Sequence, residues 1–141
     1  MTLALRPATP DDARRVFDWR NEPAARAASR NTGELDWAAH KAWFPDALRT
    51  RRMLIAELEG EPVGMVRLDP AGDGAVVSIA LAPERRGQGL GRQLLDAALA
   101  GEDGPLLAEV REDNAASLRI FRDCGFVEVG RDGRFLQLRR G

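Results

Sequence analysis

The chain has no tyrosine, one histidine and one cysteine among its 141 residues. Without tyrosine there is no phenolic hydroxyl to pass a proton. The lone cysteine, Cys124, excludes an internal disulfide framework. One cysteine and one histidine, His40, cannot supply a typical structural zinc site, so no metal is expected. Long apolar runs are also lacking, and nothing reads as a membrane span. The N-terminus reaches Arg6 without an extended apolar segment, unlike a secretory leader, so the cytoplasm is the expected compartment. The formal charge is -1, from 21 basic and 22 acidic residues. There is no basic stripe either, so neither nucleic acid nor membrane is an expected partner. A chain of this length can close one core, and a single domain over 1–141 is expected.

What is present is a regular alternation of element signals. A short strand is predicted over 3–6. Thr9-Pro-Asp-Asp12 reads as a helix start, with Thr9 as cap, Pro10 first and Asp12 third. Ala13, Val16 and Phe17 then form an apolar stripe, and Pro23 interrupts or follows that helix. A short helix and a loop fill 24–34. The next helix covers 36–48 through Trp37, Trp43, Phe44 and Leu48, and Pro45 predicts an end or kink within it. Strands over 52–58, 62–68 and 75–81 form a meander, with a turn at 69–74. Leu90, Leu94, Leu95, Ala98 and Leu99 mark a helix over 88–99, and 106–110 is a further strand. Asp113 or Asn114 caps a helix through Cys124 that Gly125 stops. A hairpin over 126–138 turns at Arg131-Asp-Gly133. The order predicts a mixed α/β fold, a central mixed sheet flanked by helices.

The segment from Leu81 to Leu95 joins a strand to a helix through three closely spaced glycines, Gly87, Gly89 and Gly91. Arg85, Arg86 and Arg92 surround them. A helix N-terminus offers a row of free backbone N–H groups, which suits a phosphate or pyrophosphate. The full G-x-G-x-x-G spacing is absent, and so is a nucleotide loop ending in Gly-Lys. From the residues alone the segment is either a phosphate cradle or a tight turn that closes helix against strand.

Arg86-Gly-Gln-Gly-Leu-Gly91 resembles the R/Q-x-x-G-x-G/A motif of the GNAT superfamily of acetyl-CoA-dependent N-acetyltransferases. Asn114-Ala-Ala-Ser117, continuing through Phe121 to Gly125-Phe126, resembles the late cofactor and packing block of the same superfamily. The resemblance implies the acyl-CoA N-acyltransferase fold, with acetyl-CoA as donor. It assigns the pyrophosphate to the backbone of Gln88, Gly89, Leu90 and Gly91, with charge from Arg86 and Arg92. It assigns the pantetheine arm to backbone groups of Ile79, Ala80 and Leu81. The strands starting at Ala75 and Leu106 become parallel neighbours that splay at their C-terminal ends. Asn114 contacts the cofactor arm, caps a helix, or does both. Ser117 approaches the thiol or is a local helical hydroxyl.

A narrower pattern lies in the first half: Trp19-Arg-Asn21, Arg26, Ser29, His40 and Trp43-Phe44. It resembles the PseH-type branch, whose members acetylate the 4-amino group of nucleotide-linked deoxyamino sugars. That resemblance implies stacking by Trp19 or Trp43, phosphate contacts from Arg20 and Arg26, and sugar orientation by Asn21. Each tryptophan serves equally well as ordinary core. The same residues also resemble ribosomal-protein alanine acetyltransferases, so a protein N-terminus or another small amine is the alternative acceptor. A catalytically weak CoA-binding protein is the third reading.

Direct acyl transfer needs an aligned, neutral amine and no covalent acetyl-enzyme. A backbone N–H near Leu81 is the expected oxyanion donor. His40 is the leading base candidate because its ordinary pKa suits proton transfer. Glu57 and Glu109, on strands, are alternatives that can act through water. Phe121 stands where the family motif often has tyrosine, so Ser117 or water must protonate the leaving thiolate. The stretch from Arg134 to Leu138 offers a terminal strand for pairing in a homodimer.

Overall fold

The computed structural model describes residues 3–141. β1 (Ala4–Pro7) leads through a 3-10 turn at Pro10–Asp12 into α1 (Ala13–Asn21), α2 (Pro23–Ala27) and α3 (Trp37–Thr50). β2 (Arg52–Leu58), β3 (Glu61–Ala71) and β4 (Gly74–Leu81) follow as an antiparallel meander. Then come α4 (Leu90–Leu99), β5 (Leu106–Arg111), α5 (Ala115–Asp123), β6 (Val127–Asp132) and β7 (Phe135–Arg140). One mixed sheet holds all seven strands in the order β1-β2-β3-β4-β5-β7-β6. Among the described residues only the β4–β5 pair is parallel.

Three expectations change. Pro45 neither ends nor splits α3, for the helix runs on to Thr50. Proline removes one helical hydrogen bond, but Phe44 and Ala47 on either side are buried and hold the helix to the sheet. The turn predicted at 69–74 contracts, because β3 continues through Asp69 and Pro70 to Ala71. Pro70 is tolerated there because β2 stops pairing at Leu68, so its missing N–H faces no strand. The stretch from Arg134 to Leu138 offers no free edge, since β7 lies between β5 and β6. The outer strand on that side is β6, where Val127 and Val129 are exposed.

Each sheet face packs its own helices, and side-chain alternation along the strands assigns the residues. Leu68, Val77, Leu106, Ala108, Val110 and Leu138 point to the face covered by α4 and α5. There they meet Leu94, Leu95, Leu118 and Phe121. Met53, Ile55 and Met65 point to the other face, where Val16, Trp19, Phe44 and Ala47 of α1 and α3 cover them.

A buried carboxylate ties β1 to α1. Asp12 is fully buried and receives both Nη atoms of Arg6 at 2.8 and 2.9 Å. It also accepts from the Thr9 amide at 2.8 Å and pairs with Arg15. Burial alone would raise its pKa, but Arg6, the Thr9 amide and Arg15 outweigh that and hold it down to about 2. A depressed acid contributes its full stability above the unfolded-state pKa, and that contribution is lost as the pH falls through the folded value. Asp12→Ala should therefore cost about 2–3 kcal/mol near neutral pH, since it removes the carboxylate that Arg6, the Thr9 amide and Arg15 hold ionised. In urea melts at a series of pH values, the gap between the two proteins should narrow from pH 5 to pH 2. A gap that does not change with pH would contradict this role.

Candidate active site

β4 and β5 share only the pairs Ala75↔Leu106 and Val76↔Leu107. β4 nevertheless stays paired to β3 as far as Leu81, and β5 to β7 as far as Arg111. Each strand follows its outer neighbour while the two part from each other, as the resemblance implied. Alternation fixes where the freed backbone points. Ala75 N–H donates to Pro105 on the β5 side at 3.1 Å, and Ala82 N–H to Val63 on the β3 side at 2.8 Å. Odd-numbered residues of β4 therefore aim their N–H and C=O at β5. Ile79 and Leu81 lie beyond the last β4–β5 pair, so their backbone groups face the opening. Ala80 points the other way and spends its backbone on Met65.

The glycine turn follows directly. Gly87 and Gly89 both take left-handed conformations, with φ of 77° and 76°. A side chain at either would touch nothing within 4 Å, so conformation and not crowding requires glycine there. Gly89 caps α4 without a side chain, which leaves the first-turn amides of Leu90, Gly91 and Arg92 with no side-chain acceptor. The helix begins two residues later than its apolar spacing predicted, because Gly87 and Gly89 hold the chain out of the right-handed region. Gly91 has a different role, close packing. A Cβ there would stand 2.8 Å from Ile120 Cδ1, so its absence lets α4 close on α5.

The flanking side chains already have partners. Arg86 pairs with Glu22 at 2.8 Å, and Glu22 also caps α2 through the Ala24 and Ala25 amides. Arg92 sits 3.3 Å from Asp96 and 3.5 Å from Asp123. Gln88 donates its side-chain amide to the Glu84 carbonyl at 3.3 Å. Asn114 caps α5, accepting from the Ser117 amide at 3.3 Å. That places the half-buried Ser117 in the first turn of α5. Phe121 is buried edge-on against Phe126, with centroids 5.0 Å apart, and contributes packing alone. Cys124 donates to Asp96 Oδ1 at 3.3 Å. Burial, then the Asp96 hydrogen bond and charge, push its thiol up to about 11, so it is no nucleophile at neutral pH.

On the sheet face opposite α4, Arg20, Leu35, Asp36, Ala39, His40 and Trp43 line an open cavity of about 250 Å³. Three predicted acceptor residues meet there, namely Arg20, His40 and Trp43. The other three have different work. Trp19 is core, packed with Val16 and Phe44. Asn21 Oδ1 accepts from the Leu35 amide at 2.7 Å, and Arg26 donates to the carbonyls of Asn21 and Thr32 at 2.9 and 3.3 Å. Both brace the connection between α2 and α3. A larger cavity of about 500 Å³ lies at the closed end of the β4–β5 pair, bordered by Gly74, Ala75, Pro105 and Leu106.

The base candidates separate in the same way. His40 is buried, with its ring centroid 5.3 Å from Phe17 and 5.4 Å from Phe44. Its Nε2 lies 3.0 Å from the Ala13 carbonyl, which fits a neutral ring donating from Nε2. Burial pushes its pKa below the ordinary histidine value, the Ala13 carbonyl opposes that, and the Arg20 charge adds to it. His40 thus ties α3 to α1 and does not stand free as a base. Glu57 sits two strands from β4, 3.2 Å from Arg6 Nε, and does not face the opening. Glu109 does border it. It lies on β5 beyond the last β4–β5 pair, on the face opposite Ala108 and Val110. Arg30 Nε and Nη2 hold it at 2.5 and 2.7 Å, and Arg30 also reaches Asp132 at 2.9 Å across the ring of Phe135.

Sequence reasoning missed Arg30, Arg51, Arg67 and Asp69. Met65, Arg67 and Asp69 alternate along β3, which puts two charges on the same face as a core methionine. That alternation was the available signal. Arg30 came from a loop with no periodic pattern to place it.

Comparison with known proteins agrees with this geometry. The model of the Acetyltransferase (GNAT) family matches residues 13–126. A spermidine N-acetyltransferase from Vibrio cholerae, solved with CoA and spermine, superposes with a TM-score of 0.84. It is 20% identical, over 98% of this chain and 94% of that one. A ribosomal-protein-alanine N-acetyltransferase from Brucella melitensis is 25% identical with a TM-score of 0.78, over 97% of this chain and 98% of that one. An uncharacterised protein of Mycobacterium leprae is 38% identical over 76 residues. That match takes in 51% of this chain but only 21% of the relative's length. On the family match, which runs from α1 to the start of the final hairpin, the chain belongs to the acetyltransferase (GNAT) family.

Proposed function

We propose that the chain transfers an acetyl group from acetyl-CoA to a primary amine. The observation that carries this reading is the parting of β4 from β5 immediately before the glycine turn. It sets two kinds of donor in sequence: the outward-facing backbone of Ile79 and Leu81, then the uncapped amides at the start of α4. The first suits an extended amide-bearing arm and the second a pyrophosphate. Gln88, Gly89, Leu90 and Gly91 form the cradle in this reading, and Asn114 and Ser117 border the arm from α5. Arg86 and Arg92 add positive charge nearby only by sharing or leaving their carboxylate partners.

Acetyl-CoA supplies the activated acetyl thioester. The Leu81 amide donates to the carbonyl oxygen where negative charge develops. Ser117 is the hydroxyl of α5 placed to return a proton to the thiolate, since Phe121 cannot. Glu109 takes the amine proton, directly or through water, once Arg30 yields it. The acceptor enters from the α1–α3 face, over Arg20 and Trp43. A nucleotide-linked deoxyamino sugar, acetylated at its 4-amino group, fits an indole beside a guanidinium. A protein N-terminus is the second reading, favoured by the 25% identity to the Brucella enzyme.

Thiol release from acetyl-CoA, followed across polyamines, amino-sugar nucleotides and N-terminal peptides, tests the reading. Amine-dependent release is expected with a small-molecule acceptor. Release only with peptides would replace the sugar by the protein N-terminus, and binding of CoA without transfer to any amine would contradict the enzyme. His40→Phe keeps the ring packing and removes the nitrogens. The pH profile of kcat/KM should keep its shape in that variant, because His40 is already neutral near pH 7. Loss of an acidic limb on the substitution would make His40 the base after all.

A further inference from the structure

Arg20 lines the cavity proposed for the acceptor, and Arg51, which borders the other cavity, reaches the same Trp43 ring. Arg20 Cζ lies 4.9 Å from the centroid of the Trp43 ring, and Arg51 Cζ lies 5.6 Å from it. Arg51 Nε is 3.3 Å and Arg67 Nε 3.1 Å from the same oxygen, Asp69 Oδ1. Asp69 thus pairs with two guanidiniums, and Arg51 links that pair through the Trp43 ring to Arg20, a third guanidinium without a carboxylate of its own. Among the described residues Arg20 has no carboxylate or hydrogen-bond partner at all. Arg67 Nε is buried and makes no hydrogen bond, because Asp69 Oδ1 is close but out of line. Asp36 also borders the cavity and caps α3 through the Ala39 amide at 2.9 Å, but it pairs with none of these arginines.

This arrangement is costly without a ligand. Like charges repel, and a partly buried guanidinium loses hydration that nothing replaces. The cost is visible at Arg20, whose pKa is lowered by burial first and then by the charges of Arg67 and Arg51. Its stacking on Trp43 occupies the guanidinium face and leaves the N–H edges for an in-plane acceptor. Two oxygens of one planar or tetrahedral anion match that edge.

The position relates the group to the reaction. Arg67 lies opposite Ser78 in the β3–β4 ladder, and Ser78 comes two residues after the last β4–β5 pair. Arg67 shares the sheet face of Met65, away from α4 and the glycine turn. An anion held here is therefore on the acceptor side and separate from the pyrophosphate cradle.

We infer that Arg20 and Arg67, backed by Arg51 and Trp43, bind a carboxylate or phosphate carried by the acceptor amine. The enzyme is thereby a selector of amines that bear an anionic group, as opposed to polycationic amines. This rests on the N-acetyltransferase reading for its meaning, but the anion site has its own physical test. Arginine Nε–H resonances are followed by NMR in CoA-saturated protein, so that the glycine turn is already filled. Inorganic phosphate is titrated in one arm and acetate in the other. Saturable shifts at Arg20 and Arg67 are expected, with the stronger arm naming the anion. Arg20→Gln should weaken the response at Arg67 about tenfold or more. Arg67→Gln, read at Arg20, serves if the first variant fails to fold. In the same samples, shifts spread evenly over surface arginines, or none at all, would overturn the site. Equal kcat/KM for ethanolamine, O-phosphoethanolamine and β-alanine would overturn its role in selecting acceptors, as would faster acetylation of spermidine than of all three. CoA binding is read separately: its failure would remove the acetyltransferase reading and the acceptor role together, while the anion titration of the free chain still stands or falls alone.

Discussion

The acetyl-transfer reading of this chain depends on two parallel strands that stop pairing. β4 and β5 meet at Ala75↔Leu106 and Val76↔Leu107 and then separate, although each remains inside a sheet. A strand leaves a partner at no loss of position only when its other neighbour holds it. Gly64 shows how tightly β3 does so, since a Cβ there would sit 2.6 Å from the Ala80 carbonyl oxygen. Arg111↔Phe135 does the corresponding work for β5. The result is a sheet with backbone donors and acceptors at Ile79 and Leu81 aimed into its own interior. These groups have no strand partner of their own and are free to bond an extended ligand.

The split also divides the labour between the faces. α4 and α5 cover one side, and their approach at Gly91 and Ile120 sets the uncapped first turn of α4 beside the opening. α1 and α3 cover the other, where Arg20, His40 and Trp43 gather. In the proposed reading, donor and acceptor approach the same gap from opposite faces and need no common binding surface. Arg30 spans the acceptor side, joining the connection after α2 to Glu109 and Asp132. It holds Glu109, on β5 beyond the last β4–β5 pair, in an ion pair.

Much of this was legible because local chemistry and tertiary structure agree. The glycines that must be left-handed, Gly87 and Gly89, stand two apart between a strand and a helix. Asn114 and Gly125 bracket α5 as cap and stop. The apolar period of Leu90, Leu94, Leu95 and Ala98 names the buried face of α4 directly. The misreadings came where packing overrides local preference. Pro45 sits in a helix because Phe44 and Ala47 are anchored on either side, and Pro70 extends a strand because its neighbour has already ended. Among site residues, polar side chains near the cleft looked interchangeable in sequence. Only three-dimensional contacts show that Asn21 and Arg26 hold backbone, that Glu57 serves Arg6, that Arg20 and Arg51 share one indole, and that Arg51 and Arg67 share Asp69.

Amide hydrogen exchange, with and without acetyl-CoA, reads the central claim at the residues that make it. The account expects Ile79 and Leu81, together with the first-turn amides at 90–92, to gain protection on binding, while Ala80 and Ala82, already paired to β3, change little. Binding of acetyl-CoA that leaves Ile79 and Leu81 unprotected, or protects odd- and even-numbered residues of β4 alike, would contradict it.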